Sequence, residues 1–510
     1  MTDGPETPQL SGPVTDPQIG ADEWVARSGD GISAYAGPIG AVQKQFDRVP
    51  EMIRLVAFAA LAALVPLLTS DQYIIRVGTV TLVYALLALG LNVAVGFAGL
   101  LDLGYIAYYG VGAYGYAMLS SSQFGVHWEA WQSIPVVLVA ATALGFVLAL
   151  PSRRLIGDYL AIVTLFFGQI FYTLATQGYR MSLFGFGRSR NITGGPNGIA
   201  NVDRFRAFGA TATSERAYYY ISLIAVALVF IVLYLANRSR TGRAWRALHD
   251  DALAAQVMSV PINWLKLVAI AVGACAGALA GTINAALIQG AFPDDYSTQV
   301  LIIIYAVLIL GGAGSLFGVV LGAIAVNVFQ EVLRGGETGS FDHARWIFYF
   351  AILMILFAKL RPWRRLGAVL AGTAVFGIVL HEIVAAAWPR GVHGMIALDA
   401  TTFGTGGWLG WTIRHWLVLP ANTYDAQNYT FFNYMLCLLI GLVLALTVLR
   451  GWKRHLLLVP TIWLAGFVWE TRLVEDAPGP TRLLLLGATL IVVMTARPQG
   501  LLGKPRVEIV

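Results

Sequence analysis

The sequence predicts an all-α integral membrane protein, a polytopic bundle of helices, and three observations predict it. Hydrophobic residues fill 57% of the 510 positions and charged residues only 12%, about half the charged share of an ordinary soluble domain. From Met52 onward, apolar stretches long enough to cross about 30 Å of hydrocarbon follow one another. None shows the alternation of a barrel strand, and lipid offers no partner to a backbone N–H or C=O, so helices are expected. The formal charge of +6 fits Lys and Arg gathered in cytoplasmic loops better than it fits a nucleic-acid surface. Cys275 and Cys437 both sit in apolar runs and imply neither a disulfide framework nor a metal site.

Residues 1–50 carry Pro5, Pro8, Pro13 and Pro17 among Gly, Asp and Thr. They read as a disordered cytoplasmic tail, since such a segment buries too little apolar surface to order itself. They lack the basic stretch followed by an apolar core that marks a cleaved leader. Spans are expected at 52–70, 75–95, 103–120, 134–151, 159–177, 218–236, 265–289, 298–312, 315–333, 346–360, 366–388, 431–449, 455–470 and 482–496. Orientation follows from the basic residues. Arg153 and Arg154, then Arg238, Arg240, Arg243 and Arg246, then Arg361, Arg364 and Arg365 face the cytoplasm under this reading. So do Arg450, Lys453, Arg454, Arg497, Lys504 and Arg506, which makes both termini cytoplasmic. The loop 178–217 is then external despite Arg180, Arg188, Arg190, Arg204, Arg206 and Arg216, because loops of this length translocate with less regard to charge.

Two apolar runs end alike, in Arg361-Pro362-Trp363-Arg364-Arg365-Leu366-Gly367 and in Arg497-Pro498-Gln499-Gly500-Leu501-Leu502-Gly503. The pattern divides the chain into a core at 51–362, an accessory membrane block at 363–481 and a last helix with its tail at 482–510. The accessory block carries an external loop, 389–430, rich in Trp, Thr and Gly. Coincidence between two membrane helix ends is the plainer explanation of the repeat.

Several chemistries are absent. No run of the type G-x-x-x-x-G-K-[S/T] exists to cradle a nucleotide phosphate. His381-Glu382 does not continue as a zinc motif, since Ala385 stands where a second His is needed. Neither a Cys/His cluster nor a G-x-S-x-G elbow is found. A conduit is favoured over an enzyme, with no cofactor.

Three clusters remain. In the cytoplasmic loop 237–265, Ala244, Leu248, Asp251, Ala254, Ala255 and Met258 lie at helical spacing. Small residues at Ala254 and Ala255 admit the close approach of another surface. A helix gripped by a motor protein and an amphipathic helix lying on the membrane both fit. Gly90, Gly96, Gly99, Gly104, Gly110, Gly112 and Gly115 form a second cluster with Asn92 and Asp102, and Gly311, Gly312, Gly314, Gly318 and Gly322 a third. Glycine-interrupted membrane segments mark either a translocation path or dense packing. A carboxylate at the bilayer centre costs about 2.5–3.5 kcal/mol or more, so Asp102 is functional or caps the start of a helix. Asp158 opens the span after Gly157, where a carboxylate suits the helix dipole. Thr193-Gly194-Gly195-Pro196-Asn197-Gly198 is a turn-rich external segment, a loop or a surface that receives a partner.

With these residues assembled, the chain resembles the permease subunit of bacterial branched-chain amino acid ABC importers, the LivM type. The resemblance is carried by Gly96-Phe97-Ala98-Gly99-Leu100-Leu101-Asp102-Leu103-Gly104-Tyr105, by Gly112-Ala113-Tyr114, and by Gly157-Asp158-Tyr159-Leu160-Ala161-Ile162-Val163-Thr164-Leu165. It continues in Thr193 to Ile199, the loop 238–260, Gly311-Gly312-Ala313-Gly314-Ser315 and Arg497-Pro498-Gln499-Gly500-Leu501. It covers about 70–360 plus the tail. It implies the helical bundle of an ABC importer permease, here with an extra C-terminal block, in the bacterial inner membrane. It further implies a non-catalytic subunit partnered by a second homologous permease, two ATPase subunits and an extracytoplasmic solute-binding protein. The coupling residues are then Arg243, Asp250, Asp251, Ala254, Ala255 and Ser259, and the translocation path runs by Asn92, Gly96, Gly99, Asp102 and Gly104.

Departures from the family pattern are an Ala at 252 where an acidic residue commonly precedes the Ala pair, and Ser259 where Gly is usual. Phe166 and Gln169 stand where Gly and Glu are often found, which bears on substrate preference. A sister permease for urea or short amides is the alternative within the class. Outside it stand an ion-coupled secondary transporter, which needs membrane carboxylates beyond Asp102, and a membrane-bound transferase using 381–416.

Overall fold

The computed structural model describes residues 50–151, 158–178, 191–207, 209–332, 363–387, 426–449 and 451–469, with pieces between 349 and 357, at 416, and between 483 and 500. The tail 1–49, Arg153 and Arg154, most of the loop 389–430 and Arg497 to Gln499 lie outside them. The helices are α1 Glu51–Leu68, α2 Gln72–Asn92, α3 Tyr105–Leu119, α4 Ala130–Ala149 and α5 Asp158–Gln177. They continue with α6 Glu215–Arg238, α7 Arg240–Asp250, α8 Ala252–Val257, α9 Ile262–Ile288, α10 Thr298–Gly311 and α11 Leu316–Val332. The last are α12 Trp363–Ala387, α13 Ala426–Val448 and α14 Trp452–Val468.

Six of the described helices are long and apolar enough to cross a membrane: α2 with its π extension, α4, α5, α6, α9 and α12. Several stretches expected as spans fold as shorter helices. α3 has 15 residues, α10 has 14, and glycines end or precede both: Gly104 caps the first and Gly312, at φ 100°, ends the second. The chain forms two compact units, residues 1–324 with 493–510, and 325–492.

In the first unit α9 is the central post. Its buried face alternates small residues, Ala269, Gly273, Ala274, Gly277, Ala278, Gly281 and Ala285, so the backbones of α2, α3 and α4 approach closely. A Cβ at Gly112 of α3 would fall 2.5 Å from the Cα of Ala278. α2 is almost wholly enclosed from Thr79 to Asn92, as a helix in the middle of a bundle must be. Three two-residue antiparallel ladders cap one end of the bundle: Ser120–Ser121 with Val126–His127, Ile199–Ala200 with Gly290–Ala291, and Arg206–Ala207 with Ala210–Thr211. Gly194, Gly195 and Gly198 all have positive φ, so the turn-rich 193–198 segment is an ordered loop that leads into the second ladder.

The second unit packs α12 and α13 against α14. Its core is Trp463, Leu464, Phe467 and Val468, with Phe376, Leu380 and Trp416 around it. Trp416 is a pin: its indole N–H donates to Thr373 O at 3.1 Å, and its own carbonyl accepts from Trp463 Nε1 at 2.9 Å. His381 is buried on α12, within this unit.

Candidate functional site

The two sequence clusters expected to carry function lie against each other. α2 ends in a π-helical turn, Val93–Phe97, where the hydrogen-bond ladder widens. Gly99 closes it at φ 69°, and Leu100 N–H reaches back to Ala94 O at 2.8 Å. Only glycine adopts that backbone without strain. A side chain there would also meet His249, since a Cβ would lie 2.7 Å from its Nδ1. His249 belongs to the last turn of α7, inside the expected coupling loop.

Beyond Gly99 the chain turns back into the bundle. Asp102 is 1% exposed, and its Oδ1 accepts from Gly104 N–H at 3.0 Å, an Asx turn that starts α3. The bond shapes the turn ahead of α3, whose N-cap is Gly104, and does not cap the helix itself. Its other oxygen is buried with no hydrogen-bond partner, while Tyr305 OH donates to its backbone carbonyl at 2.7 Å. Leu103 N–H donates to Thr164 Oγ1 of α5 at 3.0 Å, and Gly104 lies so close to the Thr164 carbonyl that no side chain fits.

Asn92 is completely buried, and its Oδ1 accepts from Gly314 N–H at 2.8 Å. Gly96 leaves room for that bond: a Cβ there would fall 2.5 Å from Gly314 N and into the Asn92 amide. Gly314 belongs to the turn between α10 and α11, and Gly500 docks on the same turn, where a Cβ would lie 2.7 Å from Gly312 N. Three motifs far apart in sequence therefore meet at one knot. Asn92, Gly96, Asp102 and Gly104 come together buried against their own chain, and Gly99, itself exposed, abuts His249.

The loop 237–265, where coupling is expected, is two helices rather than one. Ser239 caps α7, accepting from Gly242 N–H at 3.4 Å. Trp245 is 1% exposed, and its Nε1–H donates to Leu265 O of α9 at 3.0 Å, which fastens α7 to the central post. At Asp251 the backbone becomes extended, φ −155° and ψ 108°, and the carboxylate caps α8 by accepting from Leu253 N–H at 2.8 Å and Ala254 N–H at 3.0 Å. The two alanines part: Ala255 is buried and Ala254 exposed. Arg243 and Asp250 are exposed, and Arg243 Nη1 donates to Arg238 O at 3.3 Å. Ser259, also exposed, takes φ 63° to end α8. Around Ala254 stand Leu253, Val257 and Met258, exposed by 75%, 83% and 78%. Sequence spacing did not foresee that Trp245 and His249 are the inward contacts, although an aromatic residue in a charged loop was a signal of it.

At the end of the bundle that carries the ladders, Tyr116 OH of α3 donates to Asp203 O at 3.0 Å, and His127 Nδ1 pairs with Asp203 Oδ2 at 2.5 Å. Tyr172 OH of α5 donates to Asp294 Oδ1 at 3.2 Å. Burial, and then the carboxylate of Asp294, push Asp295 up from the usual range. Among the described residues no group of His, Cys, Asp and Glu is arranged to hold a metal ion.

A family described as "Branched-chain amino acid transport system / permease component" matches residues 73–360. The high-affinity branched-chain amino acid transport system permease protein LivM of Escherichia coli (strain K12) is 34% identical over 310 residues, 56% of this chain and 69% of that protein. Its Salmonella typhimurium counterpart is 33% identical over 309 residues, with the same coverage of 56% and 69%. The autoinducer 2 import system permease protein LsrC of Escherichia coli O9:H4 (strain HS) is 26% identical over 216 residues, 41% of this chain and 59% of that protein. No solved structure matches the chain.

Proposed function

This chain belongs to the branched-chain amino acid transport system permease family, and we propose that it is the membrane subunit of an ATP-driven importer of apolar amino acids. In this reading it catalyses nothing itself. Two separate ATPase subunits grip α7 and α8 from the cytoplasm, a second homologous permease completes the path, and an extracytoplasmic binding protein delivers the solute. Arg243, Asp250, Asp251, Ala254 and Ser259 form or frame the gripped surface, and Ala255 anchors it from within.

One observation carries the reading. α8 offers Leu253, Val257 and Met258 to solvent around the small Ala254, while α7 beside it is held by Trp245 and touches the Gly99 turn through His249. An exposed apolar knob on a short capped helix is a surface that a partner covers. Its rigid backing gives any push on α8 a route to the knot at 92–104. Closure of the ATPase dimer then favours one of two arrangements of the bundle by binding it more tightly. The family match does not favour an ion-coupled transporter, and the Asp102 carboxylate is engaged in a turn.

The test is Ala254→Trp in the assembled complex. Ala254 is exposed, so the substitution spares the fold, and bulk at the contact is expected to lower uptake and transport-stimulated ATP hydrolysis about a hundredfold. Membrane insertion and binding of the second permease should persist. Undiminished uptake, with the ATPase still co-purifying, would remove α8 from the coupling surface. If the knob lies on lipid instead, Ala254→Trp strengthens membrane contact and leaves uptake intact.

A further inference from the structure

The helices bordering the first unit do not present the same kind of face outward. Past its first turn α4 exposes Pro135, Val136, Val139, Ala140, Ala143 and Val147, and α6 between its terminal arginines exposes Ile224, Leu228, Ile231, Val232 and Leu235. Both are faces that hydrocarbon satisfies. α5 is different. Its exposed face carries Gln169 and Thr173 among Ile162, Phe166, Ile170 and Leu174. Gln169 is the twelfth of the 20 residues of α5, near the middle of a helix about 30 Å long. The Thr173 hydroxyl is satisfied by its own helix, donating to Gln169 O at 2.9 Å. The Gln169 amide has two donors and an acceptor that lipid tails cannot answer.

The opposite face of α5 stands on the glycine knot. Thr164 Oγ1 accepts from Leu103 N–H at 3.0 Å, and a Cβ at Gly168 would lie 3.6 Å from Gly104 Cα. A displacement of the turn at 99–104 is therefore a displacement of α5. At the other end of α5, Tyr172 holds the exposed Asp294 at 3.2 Å, with Asp295 beside it.

Resting on the importer reading above, we propose that the face of α5 bearing Phe166, Gln169, Ile170 and Thr173 is this chain's wall of a water-filled path for zwitterionic apolar amino acids, with Asp294 at its outer mouth. Each part of such a solute meets a matching group. The ammonium is drawn to the carboxylate at the mouth, the Gln169 amide N–H is a donor for the α-carboxylate, and Phe166 and Ile170 offer apolar surface to the side chain. The second permease covers the remaining side of the path, leaving water rather than lipid against Gln169.

The experiment uses the complete complex in native membrane vesicles. Gln169→Cys and Thr173→Cys are each made with Cys275 and Cys437 replaced by Ala, then exposed to a charged, membrane-impermeant thiol reagent. Reference sites are Ile224→Cys and Val139→Cys on the aliphatic faces, and Ala161→Cys on the buried side of α5. Positions 169 and 173 should react about tenfold or more faster than all three references, since the thiolate reacts where water reaches it. Reaction no faster than at Ile224→Cys places the face against lipid and overturns the proposal. Slow reaction with ready cross-linking to the second permease makes it a dry subunit contact and also overturns it. Leucine uptake by the unmodified complex is read in parallel. Fast labelling without leucine uptake keeps the path and removes the amino-acid reading.

Discussion

Two residues of the first unit end a helical segment in the same left-handed backbone, and they do so under opposite constraints. Gly99, at φ 69°, closes the π turn against α7, where a Cβ would lie 2.7 Å from His249 Nδ1. Ser259, at φ 63°, closes α8 on an exposed side of the loop 237–265. Around Ser259 the reverse hydrogen bonds of a helix end are complete: its N–H donates to Gln256 O at 3.0 Å, and Val260 N–H to Ala255 O at 3.1 Å. The backbone demand is alike at both sites, but only the first also crowds a side chain against another helix. Glycine is thus fixed by packing where the segment touches another element, and by conformation alone where it faces outward. Under the proposed function, the contrast separates a joint that would transmit force from a handle that would receive it.

The comparison breaks most severely at the neighbour of Gly99. In Gly104→Leu a side chain must enter the space of the Thr164 carbonyl, where neither backbone can withdraw without breaking the bond from Leu103 N–H to Thr164 Oγ1. Overpacking against backbone at a buried turn costs about 3 kcal/mol or more. The expected result is loss of folded protein from the membrane, read as detergent-extracted protein that aggregates on size exclusion. A normal yield would mean that the turn at 99–104 rearranges freely, and the joint would not be rigid.

Gly99→Ala is a milder break. The left-handed backbone costs an alanine about 1 kcal/mol, so the protein should still insert and assemble. Crowding of His249 then disturbs the contact between α7 and the turn, and uptake is expected to fall about tenfold while ATP hydrolysis falls less. Adding His249→Ala removes the crowding and should restore part of the uptake. No restoration would mean that Gly99 matters for its backbone alone and that His249 relays nothing.

Much of this was readable in the sequence, and the reason is physical. Lipid removes every option but helix for a long apolar stretch, so the bundle followed from composition and run length. Glycine clusters at 90–115 and 311–322 signalled close approach, and the structure joins them through Asn92 and Gly314. Which glycine meets which partner depends on contacts more than two hundred residues apart, and no spacing rule encodes that. The coupling segment misled in a different way. Ala244 to Met258 keep helical spacing across Asp251, yet Asp251 accepts from two backbone N–H groups ahead of it and restarts the helix. The outward amide of Gln169 was equally unreadable, because helical periodicity on α5 does not say which face the rest of the chain leaves open.

The smallest expected effect belongs to Ser259→Gly, and its sign is the sharper test of the contrast. Serine at φ 63° carries a left-handed penalty of about 1 kcal/mol that glycine lacks. The glycine unfolded chain is more flexible, which takes back a few tenths of a kcal/mol. A net gain of about half a kcal/mol follows, provided that the serine hydroxyl makes no contact worth more. Hydrogen exchange at residues 252–260 reads it directly, since a firmer helix end slows the amides of α8 by about twofold. Uptake should stay near that of the parent, because Ser259→Gly adds no bulk to the surface proposed to be gripped. If exchange instead quickens, the serine side chain is stabilising its own turn, and Gly99 and Ser259 no longer differ by packing alone.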